Sequence, residues 1–270
     1  MPSYLETAVE IAREASALLS EFAGRHIGFE LKGEHDLVTA ADRASESLIV
    51  KRLQERYPSH SIVAEEGGGH EGSSEFRWYV DPLDGTTNFA HGFPAYNVTL
   101  ALERGDELIA GVIADPTRDE IFTAELGSGA FLNSERIQVS KVNRVQDALV
   151  ATGFPSRKRH KNVNVHFFYQ LSMLSHGVRR AGAAALDLAY VACGRLDLFW
   201  EFNLHPWDIA AGILLIREAG GCCTDMRGAP LDLRDPHILA DNGLVHEETV
   251  ALFAEIFAGR YRQALPELPG

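Results

Sequence analysis

Apolar positions at spacings of three and four open the chain. Leu5, Ala8, Val9, Ala12, Ala15, Leu19 and Phe22 share one face of a helix predicted over residues 3–23, with Gly24 as its stop. A second helix starts at Thr39 or Asp42, carries Ala44, Leu48, Ile49 and Leu53 on one face, and ends at Tyr57 because Pro58 cannot continue it. The pattern then shifts to short apolar runs. Ser61–Ala64 and Phe76–Val80 read as strands; Glu65, Glu66 and a glycine-rich loop follow the first, and the second ends at Asp81. Tyr96–Glu103 and Glu107–Ala114 flank Arg104-Gly105-Asp106 as a hairpin, which Glu120–Ala124 and Ala130–Leu132 extend. Beyond a polar stretch at 133–143, strands at 148–152, 178–179 and 196–200 alternate with helices at 163–174, 183–193 and 206–219. The expectation is an α+β part over residues 1–140 and an α/β part over 141–270, together forming one unit.

Composition narrows the function classes. Of the 270 residues, 46% are hydrophobic and 23% charged, which fits a globular chain and not a disordered one. The longest apolar runs fall short of the roughly 18 residues that span a bilayer. Charges throughout the first helix (Glu6, Glu10, Arg13, Glu14, Glu21) do not fit a signal peptide. Cys193, Cys222 and Cys223 offer no CxxC pair, so reduced thiols and a cytoplasmic setting are expected. A net charge of −13 argues against general nucleic-acid binding, since phosphates would be repelled, and leaves room for a cation site. Ser156-Arg157-Lys158-Arg159-His160-Lys161 is a local basic run, read as a solvated loop or as a lip that attracts phosphorylated substrates.

The chemistry concentrates in Asp81-Pro82-Leu83-Asp84-Gly85-Thr86-Thr87-Asn88. Two carboxylates around a proline turn can converge on a cation, Gly85 permits a tight path, and the helix turn after it presents free N–H groups to an anion. Taken alone the segment reads first as an Asp-Pro turn followed by a capping Asp, which is common. Glu65-Glu66 alone is a solvated acidic pair, and Asp208 at the start of an apolar helix is ordinary capping.

Taken together, these residues resemble the inositol monophosphatase family. One signature corresponds to Trp78-Tyr79-Val80-Asp81-Pro82-Leu83-Asp84-Gly85-Thr86-Thr87-Asn88-Phe89 and another to Trp207-Asp208-Ile209-Ala210-Ala211-Gly212, running on to Gly221. Asp36–Asp42, Ala64-Glu65-Glu66 and Gly182–Asp187 match in the family's order. The resemblance implies a layered α-β-α-β-α sandwich of the kind shared with fructose-1,6-bisphosphatase, a homodimer, and a Mg²⁺-dependent, lithium-sensitive phosphatase holding two or three Mg²⁺ per chain. It implies Glu65, Asp81, the Leu83 carbonyl, Asp84 and Asp208 as metal ligands, and Asp42 joining through a weaker metal or its waters. Glu65 and Thr86 would activate the attacking water, with Asp42 bonding the Thr86 hydroxyl. Gly85, Thr86, Ala183 and Ala184 would hold the phosphate. Glu201 would bind a substrate hydroxyl, Asp208 would lie beside the substrate as well as the metal, and Arg179 would lie near the substrate or the dimer contact. Two positions depart from the pattern: Ala64 stands where Gly is usual, and Ala183 where many members carry Ser or Thr.

Phosphate monoester hydrolysis needs an activated water and stabilised charge on the phosphoryl and leaving oxygens, which divalent cations in an acidic cleft provide. The expected substrate is a small phosphorylated polyol, inositol 1-phosphate first. Fructose 1,6-bisphosphate, histidinol phosphate and 3′-phosphoadenosine 5′-phosphate are alternatives. Some bacterial relatives also serve as accessory factors in RNA-polymerase and ribosomal-RNA complexes, the one setting in which nucleic acid enters the expectation.

Overall fold

The computed structural model describes residues 2–23, 29–33, 36–154, 162–235 and 237–265. Gly24 and the basic run from Ser156 to Lys161 lie outside the described residues. Helix α1 (Tyr4–Phe22) begins with a capping box: Ser3 Oγ accepts from the Glu6 N–H at 3.1 Å, and Glu6 Oε2 accepts from the Ser3 N–H at 2.7 Å. Between it and α2 (Ala40–Arg56) stands an antiparallel pair, β1 (Phe29–Gly33) and β2 (Asp36–Thr39), that the periodicity does not predict. Thr39 is the cap of α2 and Tyr57 its end, as the pattern requires.

A seven-stranded sheet follows in simple order: β3 (Ser61–Ala64), β4 (Phe76–Asp84), β5 (Asn97–Arg104), β6 (Glu107–Asp115), β7 (Glu120–Glu125), β8 (Gly129–Leu132) and β9 (Glu135–Arg136). Only β3 and β4 run parallel. The one-turn helix α3 (Thr86–Ala90) interrupts it after β4. The second half supplies β10 (Leu149–Thr152), α4 (Asn164–Leu174), β11 (Gly177–Arg179), α5 (Ala184–Ala192), β12 (Leu198–Phe202), α6 (Pro206–Glu218), β13 (Cys222–Thr224), β14 (His237–Asp241) and α7 (His246–Phe257). Its five strands pair in the order β11-β10-β12-β14-β13, parallel across the first three and antiparallel across the last two pairs. The last two strands and α7 were not read from the sequence pattern.

The alternation of side chains along the strands sorts these elements into layers. Trp78, Val80, Leu100, Leu102, Ala110 and Val112 pack with Ala8, Ile11, Ala12, Ala15, Leu19, Ile49 and Leu53 of α1 and α2. Their neighbours Tyr79, Ala101, Ile113 and Phe122 face the other way, onto α5 and α6. Those helices meet Ala151, Phe199, Ile238 and Ala240 of the second sheet. On that sheet's far face, Val150, Leu198, Trp200 and Leu239 pack with Phe167 and Leu171 of α4 and Leu252 and Phe253 of α7. The result is the α-β-α-β-α sandwich that the family resemblance implies.

The middle layer carries the site, and small residues let it lie close. A Cβ on Gly111 of β6 would stand 3.1 Å from Ala211 Cα of α6, and one on Gly212 of α6 would stand 2.5 Å from Leu188 Cβ of α5. Gly212→Ala is therefore expected to cost about 1–3 kcal/mol by overpacking. A urea titration checks it: the midpoint falls at unchanged slope, and a wild-type midpoint would show that α5 and α6 have room to spare.

Candidate active site

In a regular strand, residues three apart point to opposite faces. Asp81 pairs with Thr99 and Asp84 with Asn97, so three steps on β4 are matched by two on β5. That one extra residue is a bulge at Pro82, and it brings both aspartates to the same side. The predicted end of the strand at Asp81 is thus corrected: β4 runs through the proline to Asp84. Asp81 is buried and its Oδ1 accepts from the Leu83 N–H at 3.0 Å, which holds the bulge. Asp84 Oδ2 accepts from Asn97 Nδ2 at 2.8 Å and from the Ala185 N–H at 2.9 Å. Asn97 in turn takes the Thr99 hydroxyl on its Oδ1 at 2.6 Å. Gly85 then turns with φ +88°, where a Cβ would meet the Ala95 carbonyl oxygen at 2.7 Å.

Helix α2 meets this segment from the other side. Asp42 is fully buried; its Oδ2 accepts from the Thr39 N–H and hydroxyl, and its Oδ1 accepts from the Thr86 hydroxyl at 2.7 Å. The Leu83 carbonyl lies 3.1 Å from the same hydroxyl. Ser45 donates to the Pro82 carbonyl at 2.8 Å. Glu65 leaves β3 with its N–H on the Val80 carbonyl at 3.2 Å, placing it beside the end of β4.

The second half closes the site. Asp208, in the first turn of α6, accepts the His205 N–H on Oδ2 at 2.6 Å, while Trp207 stacks on His205. Glu201 on β12 is 7% exposed and lies against Gly153, where any Cβ would collide with its carboxylate. Ala183 and Ala184 are buried at the start of α5, and the Ala184 and Ala185 N–H groups bear on Asp84. The helix turn expected after Gly85 is α3, five residues long with Gly85 as its cap. Arg179 is exposed at the end of β11 and its guanidinium donates to the Val178 carbonyl. Its neighbour Arg180 is the cation that acts on Glu201 and on Asp187. Asp187, Arg180, Asn97, Ser45 and Gly153 were missed by the sequence reading. Asp187 stood within a matched motif, the only signal available for any of them.

Like charges dominate the electrostatics. Burial pushes the Asp81 carboxyl well above its usual range, and the charges of Glu65, Asp84 and Asp208 add to the effect. Asp84 is pushed up to about 6 by burial, against the donors Asn97, Ala185, Ala184 and Gly85. Asp208 rises through burial and through Asp84, Glu65 and Glu201, opposed by the His205 N–H. Glu201 and Asp187 rise through burial first, with Arg180 opposing. Asp187 Oδ2 is buried with no hydrogen-bond partner. So many buried carboxylates in mutual range are costly without a cation. An all-oxygen, acidic donor set suits a hard ion such as Mg²⁺. Among the described residues no three His, Cys, Asp or Glu side chains meet at chelating distance, so these groups relate here as neighbouring charges.

The profile of the inositol monophosphatase family matches residues 1–258. The chain belongs to the inositol monophosphatase family. An inositol-1-monophosphatase of Mesorhizobium japonicum is 45% identical over 246 residues, covering 89% of this chain and 92% of the relative. A protein named Nus factor SuhB, from Pseudomonas aeruginosa, is 46% identical over 250 residues, covering 90% and 92%. The crystal structure of the extragenic suppressor protein suhB from Bartonella henselae superposes with a TM-score of 0.88 at 42% identity, over 92% of this chain and 97% of that one. Where many family members carry a hydroxyl, Ala183 stands at the cap of α5, the whole residue 1% exposed.

The raised Asp84 carboxyl sets a pH dependence. Its folded pKa of about 6 exceeds the unfolded value of 3.8, so the folded state holds the proton more tightly and loses stability as pH rises through that window. In EDTA, Asp84→Asn is expected to be more stable than wild type at pH 7.5, by about 1 kcal/mol or more, with the difference gone near pH 4. Excess Mg²⁺ should reverse the order at pH 7.5. Thermal unfolding at the two pH values, with and without the ion, checks it; a pH-independent difference would refute the raised carboxyl.

Proposed function

We propose that this protein is a Mg²⁺-dependent phosphatase of small phosphate monoesters, with inositol 1-phosphate as its preferred substrate. The observation that carries the reading is an acidic cluster drawn from both halves of the chain: the charges of Glu65, Asp84 and Asp208 bear on buried Asp81, and those of Asp84, Glu65 and Glu201 bear on Asp208. Glu65, Asp81, the Leu83 carbonyl, Asp84 and Asp208 would hold two or three Mg²⁺ per chain. Bound there, the ions would supply a lowered pKa for a nucleophilic water and positive charge for the phosphoryl and leaving oxygens.

The chain's own groups do the rest. Thr86 commits its hydroxyl proton to Asp42, which leaves its lone pairs free to accept a hydrogen bond from water. Glu65 takes the proton of that water as it attacks. The main chain at Gly85, Thr86, Ala183 and Ala184 places the phosphate. Glu201 and Asp208 hold the organic part of the substrate by a hydroxyl, which favours a polyol. Arg179 guides the substrate or contacts a second subunit. The reading extends to a cytoplasmic homodimer with lithium sensitivity, supported by family membership alone. It also treats residues 1–140 and 141–270 as one working unit, supported by the Asp84–Ala185 hydrogen bond between them.

A kcat/KM comparison tests the substrate. Inositol 1-phosphate is expected to exceed fructose 1,6-bisphosphate, histidinol phosphate, 3′-phosphoadenosine 5′-phosphate and an aryl phosphate by about tenfold or more. Equal turnover of the aryl phosphate would sink the polyol assignment. Asp81→Asn should lower kcat at least about a hundredfold at saturating Mg²⁺, since an amide is a poor ligand for a hard ion.

The relative named Nus factor SuhB favours a second reading, an accessory role in a transcription complex. Complementation separates the two. Asp84→Asn, inactive as a phosphatase, should fail to restore a deletion strain if catalysis is the function, and should restore it fully if the protein acts as a partner.

A further inference from the structure

Residues 65–69 form an excursion from the sheet whose ends are fastened. At one end the Glu65 N–H donates to the Val80 carbonyl at 3.2 Å; at the other, Ile62 and His70 exchange backbone hydrogen bonds at 2.7 and 2.8 Å. Gly67, at φ +91°, and Gly68 lie between, a sequence with little stiffness of its own. What grips the middle comes from α2. Glu46 is 5% exposed, and its carboxylate accepts the Glu66 N–H on Oε2 at 2.7 Å and the Gly68 N–H on Oε1 at 2.8 Å. Two charge-assisted bonds of this kind offset the cost of burying a carboxylate. Gly68 lacks the side chain that would prevent this approach: a Cβ there would stand 2.7 Å from Glu46 Oε1.

Glu46 does not act alone on its helix. Asp42, Ser45 and Glu46 stand at i, i+3 and i+4, on one face of α2. The first takes the Thr86 hydroxyl, the second donates to the Pro82 carbonyl, and the third takes the loop beyond Glu65. One rigid turn of helix thus sets the spacing between the segment 81–86 and the loop that begins at Glu65.

We propose that Glu46 is a positioning residue: by clamping the Glu66 and Gly68 N–H groups to α2, it keeps Glu65 beside the end of β4, so that a divalent cation can draw it together with Asp81 and Asp84. This rests on the assignment of Glu65 as a cation-holding residue.

The test uses Glu46→Gln, which keeps size but turns an amide NH₂ toward one of the two donors, and Gly68→Ala, which displaces the carboxylate without altering charge. Hydrogen–deuterium exchange reads the clamp itself, calorimetric titration with Mg²⁺ alone reads the cation site, and steady-state kinetics reads the consequence. Both variants are expected to speed exchange at residues 66–68 about tenfold, with α1 and the sheets unchanged. Both should weaken Mg²⁺ binding about tenfold, and lower kcat while substrate KM stays within twofold. Faster exchange with wild-type Mg²⁺ affinity would overturn the proposal, because the loop would then be held for folding only. Unchanged exchange would overturn it as well. A protein that hydrolyses none of the phosphate monoesters would remove the proposed activity, yet exchange and Mg²⁺ titration would still decide the role of Glu46.

Discussion

One extra residue at Pro82 governs the site. Without it, Asp81 and Asp84 would project to opposite faces of β4, one into the α1–α2 layer and one into the α5–α6 layer. With it, both carboxylates turn to the same side, at the edge where the two halves of the chain meet. The Leu83 N–H that bonds Asp81 Oδ1 stabilises the bulge, so the first carboxylate holds the turn that places the second. Gly85 continues the same logic, since only a residue without a Cβ passes the Ala95 carbonyl at that angle.

Placing carboxylates together creates repulsion that the surrounding layers manage with neutral donors. Asn97 from β5 and the N–H of Ala185 from α5 stabilise the charge of Asp84, the His205 N–H does so for Asp208, and Thr39 and Thr86 do so for Asp42. Arg180 supplies positive charge on the Glu201 side. The donors lower the cost of ionisation without cancelling it, which is why Asp81, Asp84 and Asp208 all keep raised pKa values. A layered sandwich suits this task. Gly111 lets α6 lie close on the first sheet and Gly212 lets α5 lie close on α6, and the main-chain N–H of Ala185 bonds Asp84, about a hundred positions earlier.

Much of this was legible beforehand. Helices α1 and α2 and the hairpin of β5 and β6 follow from local periodicity and caps, and their bounds agree with the pattern within a residue or two. The two long signatures marked Asp81, Asp84 and Asp208 and carried the layered fold with them. Strands β13 and β14 gave no reading, because short strands with few exposed positions lack the alternation that identifies them; helix α7 did carry a signal, since Thr249, Leu252, Phe253 and Ile256 recur at threes and fours. The continuation of β4 through Pro82 was also hidden, since proline argues against a strand wherever a bulge does not exempt it.

What the sequence determined by itself was local: which residue types could bind a cation and a phosphate, and which segments would be helix or strand. These depend on neighbours a few positions away, where spacing is set by the backbone. The tertiary structure alone decided which polar side chains support the site. Glu46 clamps a loop twenty residues on, Asn97 grips Asp84 across a pair of strands, and Ser45 donates to the Pro82 carbonyl from α2. Each of those contacts depends on how layers stack and how strands register, and a hydrogen bond across such an interface leaves no periodic mark in the chain.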